Sequence, residues 1–170
     1  MSLPDISDPR IAAALAIYFG ALILAALLGH TPERLGSLSF GAMFPIQYVL
    51  YNLALDPVFS SVDWVLVTAD VIALAGLMAI ALNADRNWSK YASALMLLAV
   101  LAHFIRAATP TAAFTYAQFN FVPTLLAILV LLVGATVHRV RRLRGHRDRN
   151  WYPYRDEREM REILAEDLDL

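Results

Sequence analysis

The sequence predicts an all-α integral membrane bundle, because its apolar residues are gathered into charge-poor segments about as long as a bilayer is thick. Hydrophobic residues make up 59% of the 170 residues, and the segment 11–29 carries no charge. About 20 consecutive, mostly apolar residues are enough to cross the hydrocarbon core. We predict that residues 1–138 form the bundle and residues 139–170 a cytoplasmic tail. The five predicted transmembrane helices cover about 11–29, 37–55, 61–82, 91–108 and 119–138.

The first segment, 11–29, is predicted to be a retained helix rather than a cleaved signal peptide. It is longer than the apolar region of a signal peptide and has no small-residue cleavage site at its end. The residues before it include Asp5 and Asp8 besides Arg10, so they do not form the basic stretch that opens a signal peptide.

The second segment, 37–55, has no charge but contains Pro45, Gln47 and Asn52. Because membrane helices tolerate proline, we prefer a fifth span here. The alternative is a bundle of four spans in which this segment is re-entrant or interfacial.

The orientation follows from the arginines after residue 138, because positively charged loops stay in the cytoplasm. The C-terminus is therefore predicted to be cytoplasmic. Five spans place Arg34 inside and the N-terminus outside, whereas four spans place the N-terminus inside and the 30–60 region outside. We prefer five spans, because the external turns then carry almost no positive charge.

The third and fourth segments contain ionisable residues within the predicted hydrocarbon region: Asp70 in the third, and His103 and Arg106 in the fourth. Such residues are costly in lipid and often mark function. At 1.5 Å per residue, all three fall in the external leaflet on neighbouring helices. We predict an intramembrane polar cluster, which Thr68, Gln118 and Asn120 could complete. It is either a helix-packing pair or a functional site for protons, an anion or a quinone headgroup.

Several kinds of chemistry are excluded or disfavoured. The chain has no cysteine, so it forms no disulfide and has no thiolate metal site or cysteine nucleophile. The phosphate-loop, dinucleotide-binding and zinc-protease motifs do not occur. A haem held by two histidines is disfavoured, because His103 has no histidine at its depth. His30 and His138 both fall near the cytoplasmic boundary but at helix ends, and His146 lies among the arginines that follow the last segment. We therefore expect no enzymatic activity, no metal and no cofactor.

The tail begins with a basic cluster directly after the last predicted span. Anionic headgroups attract such residues by about 1 kcal/mol each near the surface, so we expect lipid contact and a topology signal. The position against the membrane disfavours nucleic acid as a partner. The cluster consists of Arg139, Arg141, Arg142, Arg144, Arg147 and Arg149.

The rest of the tail, 150–170, carries seven acidic residues and three arginines. Its apolar residues recur at helical spacing, and an amphipathic helix without a core of its own must dock elsewhere. The acidic charge argues against an anionic membrane, so we expect docking on other membrane-protein subunits. The predicted docking residues are Trp151, Tyr152, Tyr154, Met160, Ile163, Leu164 and Leu168.

The stretch between Val62 and His138 combines Asp70 in a span, the turn 86–88, the apolar run 97–103 and the segment 134–138 before the arginines. In these features it resembles small uncharacterised multi-pass inner-membrane proteins of alphaproteobacteria. The resemblance implies a helical bundle in the bacterial inner membrane and implies no particular activity.

The function predicted from these observations is that of a non-catalytic accessory or structural subunit of a larger inner-membrane complex, docking through its tail and helix faces. One alternative is a small transporter or proton-coupled channel that uses the polar cluster of Asp70, His103 and Arg106. A membrane sensor is a second alternative, and the identity of any small-molecule ligand is left open.

Overall fold

A computed structural model describes residues 8–53, 64–109, 113–145 and Trp151. These residues are helical apart from turns and an isolated β-bridge between Ala84 and Trp151. The helices are α1 (Pro9–Leu28), α2 (Thr31–Gly41), α3 (Met43–Leu53), α4 (Trp64–Asn83), α5 (Asn87–Ala108) and α6 (Ala113–Leu143).

Four helices are long and apolar enough to cross a membrane, which supports the predicted membrane bundle. They are Pro9–Leu28, Trp64–Asn83, Asn87–Ala108 and the part of α6 from Gln118 to Leu143. The last helix starts before the predicted residue 119. It also continues beyond residue 138, so the first arginines of the predicted tail belong to α6.

The predicted span 37–55 is replaced by two shorter helices, α2 and α3, of 11 residues each. The two helices meet at Ala42, because Pro45 interrupts the helical hydrogen bonding there. Proline has no N–H, so it cannot bond to the carbonyl four residues earlier, which belongs to Gly41, the last residue of α2. The regular pattern resumes with Ile46, whose N–H donates to the Ala42 carbonyl at 3.0 Å.

The start of α2 lies six residues before the predicted boundary and is encoded locally. Pro32 lies in the first turn, where its missing N–H costs nothing. The Glu33 carboxylate accepts a hydrogen bond from the backbone N–H of His30 at 2.8 Å. A glutamate at this position commonly satisfies the amide that precedes a helix.

Two side-chain contacts place four helix ends together. Arg142, near the end of α6, contacts His30 in the turn between α1 and α2. Glu33, in the first turn of α2, contacts Trp88 in the first turn of α5. The ends of α1 and α6 and the starts of α2 and α5 therefore share one end of the molecule. We name it the basic end, because Arg86 and Arg142 lie there.

Helices α2 and α3 both pack against α4. Helix α4 is about 30 Å long and joins α5 at the basic end, so it begins at the opposite end. The chain between His30 and Trp64 must cover that distance. Ser39 of α2 packs on Gly76 of α4, and α3 also contacts α4.

The interior is apolar between the two ends. Its largest fully buried side chains are Phe40, Leu77, Met96 and Leu131, from four different helices. Many large apolar side chains point outward, and Ile17, for example, is 74% exposed. An outer surface of this kind suits contact with lipid tails, which are as apolar as the side chains.

Candidate functional site

A buried hydrogen-bonded chain joins three helices at the end opposite the basic end. His103 of α5 places Nε2 2.8 Å from Asp70 Oδ2 of α4. Its other ring nitrogen, Nδ1, lies 2.6 Å from the hydroxyl of Tyr116 on α6. Asp70 and His103 are 3% and 1% exposed. Both ring nitrogens of His103 are therefore engaged, which fixes the orientation of the ring.

One assignment of protons satisfies this chain. If the Tyr116 hydroxyl donates to Nδ1, then Nε2 carries the imidazole proton and donates to Asp70. The side-chain amide of Asn120 also donates to Asp70 Oδ2 at 2.9 Å. Tyr116 and Asn120 are four residues apart on α6 and so share a helix face. The Asp70 carboxylate thus receives a donor from each of two neighbouring helices.

Arg106 joins the cluster through Tyr116. Its guanidinium carbon lies 5.4 Å from the centre of the tyrosine ring, within the range of a cation–π contact. A cavity of about 160 Å³ opens beside this pair. The structure therefore brings Asp70 and His103 into direct contact and places Arg106 next to the tyrosine that bonds to His103. The cavity is lined by Ala102, Ile105, Arg106, Tyr116 and Phe119.

A second polar cluster lies at the basic end and is centred on Glu33, which is completely buried. Its Oε1 accepts a hydrogen bond from Trp88 Nε1 at 3.0 Å and lies 3.4 Å from Arg86 Nε. Its Oε2 accepts the backbone N–H of His30. A buried carboxylate is tolerated when it is paired and hydrogen-bonded in this way. The sequence pattern gives no indication of this site.

Two glycines make room for the Trp88 ring. A Cβ on Gly36 of α2 would lie 2.6 Å from the ring, and a Cβ on Gly134 of α6 would also lie 2.6 Å from it. Both distances are shorter than a real carbon–carbon contact. The ring therefore occupies a slot between α2 and α6, and this slot directs its N–H towards Glu33.

Two histidines complete the basic end. Arg86 Nη2 lies 3.4 Å from Nε2 of the buried His138. The rings of His30 and His138 meet edge to face with their centres 5.0 Å apart. Arg142 donates to Nε2 of His30. Partial burial and then the charge of Arg142 lower the pKa of His30 below its ordinary value of 6.5.

The structure locates part of the predicted tail. Arg139, Arg141, Arg142 and Arg144 are exposed at the end of α6 and just after it. Trp151 pairs with Ala84 and packs against the core. The other predicted headgroup and docking residues lie outside the described residues: Arg147, Arg149, Tyr152, Tyr154, Met160, Ile163, Leu164 and Leu168.

Neither polar cluster has the character of a metal site: among the described residues, no group of three or more His, Asp or Glu side chains is arranged to hold a metal ion. The chain matches no protein-family model, no curated protein and no solved structure. The resemblance to inner-membrane proteins of alphaproteobacteria therefore stays a prediction.

Proposed function

We propose that the chain crosses the bacterial inner membrane five times, with the basic end and the C-terminus in the cytoplasm. The contact between His30 and Arg142 supports this, because α1 then ends on the side where α6 ends. The chain must return to the opposite side before α4 begins, and we infer that α2–α3, which contacts α4, makes this return. The arginines at the end of α6 favour the cytoplasmic side for the basic end.

Within that membrane, we propose that the protein is a non-catalytic accessory or structural subunit of a larger complex. One observation carries this proposal. Each buried ionisable side chain of the described part of the chain bonds to a side chain from another helix or turn. These residues are Glu33, Asp70, His103 and His138.

Contacts of this kind favour a packing role over catalysis. Asp70 holds α4 to α5 and α6, and Glu33 holds α2 to the start of α5, so the bundle is fastened at both ends. Trp151 is held against Ala84, so the chain after it leaves from a fixed point at the basic end. A rigid bundle that presents a tail in this way suits docking on other membrane-protein subunits.

The test is the composition of the complex in mild detergent. The tagged full-length chain should migrate with a defined set of other membrane proteins, at a mass well above its own 18.9 kDa. Deleting residues 155–170 should leave the bundle inserted and release those proteins. A full-length chain that migrates as a monomer or as a homo-oligomer would contradict the proposal.

A matched pair of tail variants sharpens this test. Ile163→Ser with Leu164→Ser removes apolar residues from the predicted docking face. Glu159→Ser with Glu162→Ser changes the charged face by the same number of residues. We expect the first pair to release the partner proteins and the second to retain them. Equal effects would point to charge, rather than to the apolar face, as the basis of docking.

A second candidate is proton-coupled transport, and the chain Tyr116–His103–Asp70 favours it specifically. A histidine bonded on both ring nitrogens can take a proton on one side and release one on the other. Proteoliposomes that contain the full-length chain and an internal pH dye would test this candidate. Proton-coupled transport requires a change in the internal pH that Asp70→Asn abolishes. If the dye signal is the same for the unchanged protein and for Asp70→Asn, this candidate is excluded.

A further inference from the structure

A cavity of about 570 Å³ lies between α5 and α6 at the basic end. Its volume is within the range of small-molecule sites in proteins. Arg86, Trp88 and Tyr91 form the α5 side, and the last turns of α6 form the other side. It is separate from the polar cluster of Asp70 and His103, which lies at the opposite end of α5.

The cavity has a charged mouth and an apolar floor. Arg86, His138 and Arg141 line the mouth together with the exposed Asp85. Glu33 offsets the charge of Arg86. Asp85 adds a negative charge at the same mouth, so the mouth as a whole is close to neutral, and Arg141 is the exposed guanidinium that can meet an anion there.

The floor runs along α6, where Leu129, Val133 and Val137 are spaced four residues apart. These three side chains share one helix face and extend for about 12 Å towards the middle of the bundle. Each is about half exposed, so the floor opens sideways rather than into the core. A ligand that fits this shape has a charged head and one extended apolar chain.

We propose that this cavity, which is open on one side as a groove, binds a phosphate-headed membrane lipid. Arg141 and Arg86 hold the phosphate, and one acyl chain lies along Leu129, Val133 and Val137. Guanidinium groups match the geometry of phosphate oxygens and donate two hydrogen bonds at once. The contact of Arg86 with Glu33 fixes its side chain before the lipid arrives, which reduces the ordering cost of binding.

The setting favours this ligand. The exposed Tyr91 marks the level of the headgroups, where such aromatic residues are enriched. The inference rests on the proposed placement of the basic end in the cytoplasmic leaflet, whose anionic lipids bind basic pockets between membrane helices. Its test uses the purified chain without partners, so the outcome does not depend on the accessory-subunit proposal.

The test is native mass spectrometry of the full-length chain in detergent, titrated with dioleoyl phosphatidylglycerol. Arg141→Gln should weaken binding about tenfold. Arg139→Gln is the matched control, because it removes an exposed arginine two residues away that does not line the groove, and it should change binding less than twofold. Thermal unfolding of both variants checks that the bundle is intact.

Two further measurements distinguish a lipid from free inorganic phosphate as the ligand. Val133→Trp fills the apolar floor and should weaken lipid binding, while the mouth stays intact. Inorganic phosphate at millimolar concentration should not displace the lipid. Equal weakening by Arg141→Gln and Arg139→Gln would overturn the proposal in favour of diffuse attraction to a basic surface. Displacement by inorganic phosphate, or full lipid binding by Val133→Trp, would overturn it in favour of a simple anion site.

Discussion

The indole N–H of Trp88 donates a hydrogen bond to Glu33 at 3.0 Å, and this contact joins α5 to α2 where the bundle meets its basic end. The bond depends on the position of the ring, and the ring position depends on two glycines. A carboxylate without such donors would be costly at a fully buried site. The packing of Gly36 and Gly134 therefore determines whether the buried Glu33 keeps its hydrogen bond from the indole.

Gly134→Ala should destabilise the protein by about 1–3 kcal/mol, the usual cost of overpacking a filled core. The new methyl group would lie 2.6 Å from the Trp88 ring and would force the ring to move. Gly20→Ala is the matched control on α1, because nothing lies within 4 Å of its Cβ position. It should be neutral or stabilising by up to about 1 kcal/mol. Thermal unfolding in detergent measures both, and equal effects would show that the slot is not tight.

Asp70→Asn and His103→Ala should each lower stability by about 1–2 kcal/mol, near the upper end for hydrogen bonds between membrane helices. Each single change leaves the other residue buried without its hydrogen-bond partner. The double variant should therefore lose about as much stability as either single variant. Additive losses would mean that the two side chains act independently. Thr68→Ala is a control, since the Thr68 hydroxyl bonds within its own helix, to the Trp64 carbonyl.

Stability should fall as the pH falls below about 6.5, and His30 should contribute to this loss. Its pKa in the folded protein is lowered from 6.5, so the folded state binds fewer protons than the unfolded chain in that range. Protonation also removes the lone pair on Nε2 that accepts from Arg142. His30→Gln keeps an acceptor but does not titrate there, so it should flatten the pH dependence of unfolding between pH 5 and 7. An unchanged profile would contradict this role.

Single cysteines can test the five crossings directly, because the chain has none of its own. Arg34, Asn87 and Thr109 are exposed and lie in the described structure. An impermeant maleimide applied to spheroplasts should label Thr109→Cys. It should label Arg34→Cys and Asn87→Cys only after lysis. Labelling of Arg34→Cys in intact spheroplasts would favour the four-span alternative, in which the 30–60 region is external.

The contact of Asp70 with His103 was within reach of sequence analysis, because depth along two antiparallel helices can be counted from their boundaries. Both residues are charged or polar in segments that are otherwise apolar, so they stand out. The role of Tyr116 was not predicted. This residue lies before the predicted span 119–138, and α6 begins earlier than the apolar pattern indicates.

The Glu33 cluster could not be predicted from the sequence pattern, for a different reason. Residues 30–36 look like a polar turn between apolar segments, and a charge in a turn normally faces water. Pro32 followed by Glu33 is a signal for a helix start, so the early beginning of α2 could have been found. The burial of Glu33 could not, because its side-chain partners, Arg86 and Trp88, lie more than 50 residues away in the sequence.

The slot around Trp88 also has a consequence for how this fold can diverge. One wall belongs to residue 36, the other to residue 134, and neither tolerates a side chain while an indole fills the space. A lineage that replaced the tryptophan with a smaller residue would relax both walls at once, and regaining the ring would require both glycines again. Substitutions at positions 36, 88 and 134 should therefore be inherited as a set. In distant relatives, this three-point correlation should outlast the similarity of the lipid-facing surface, where one apolar residue replaces another at little cost.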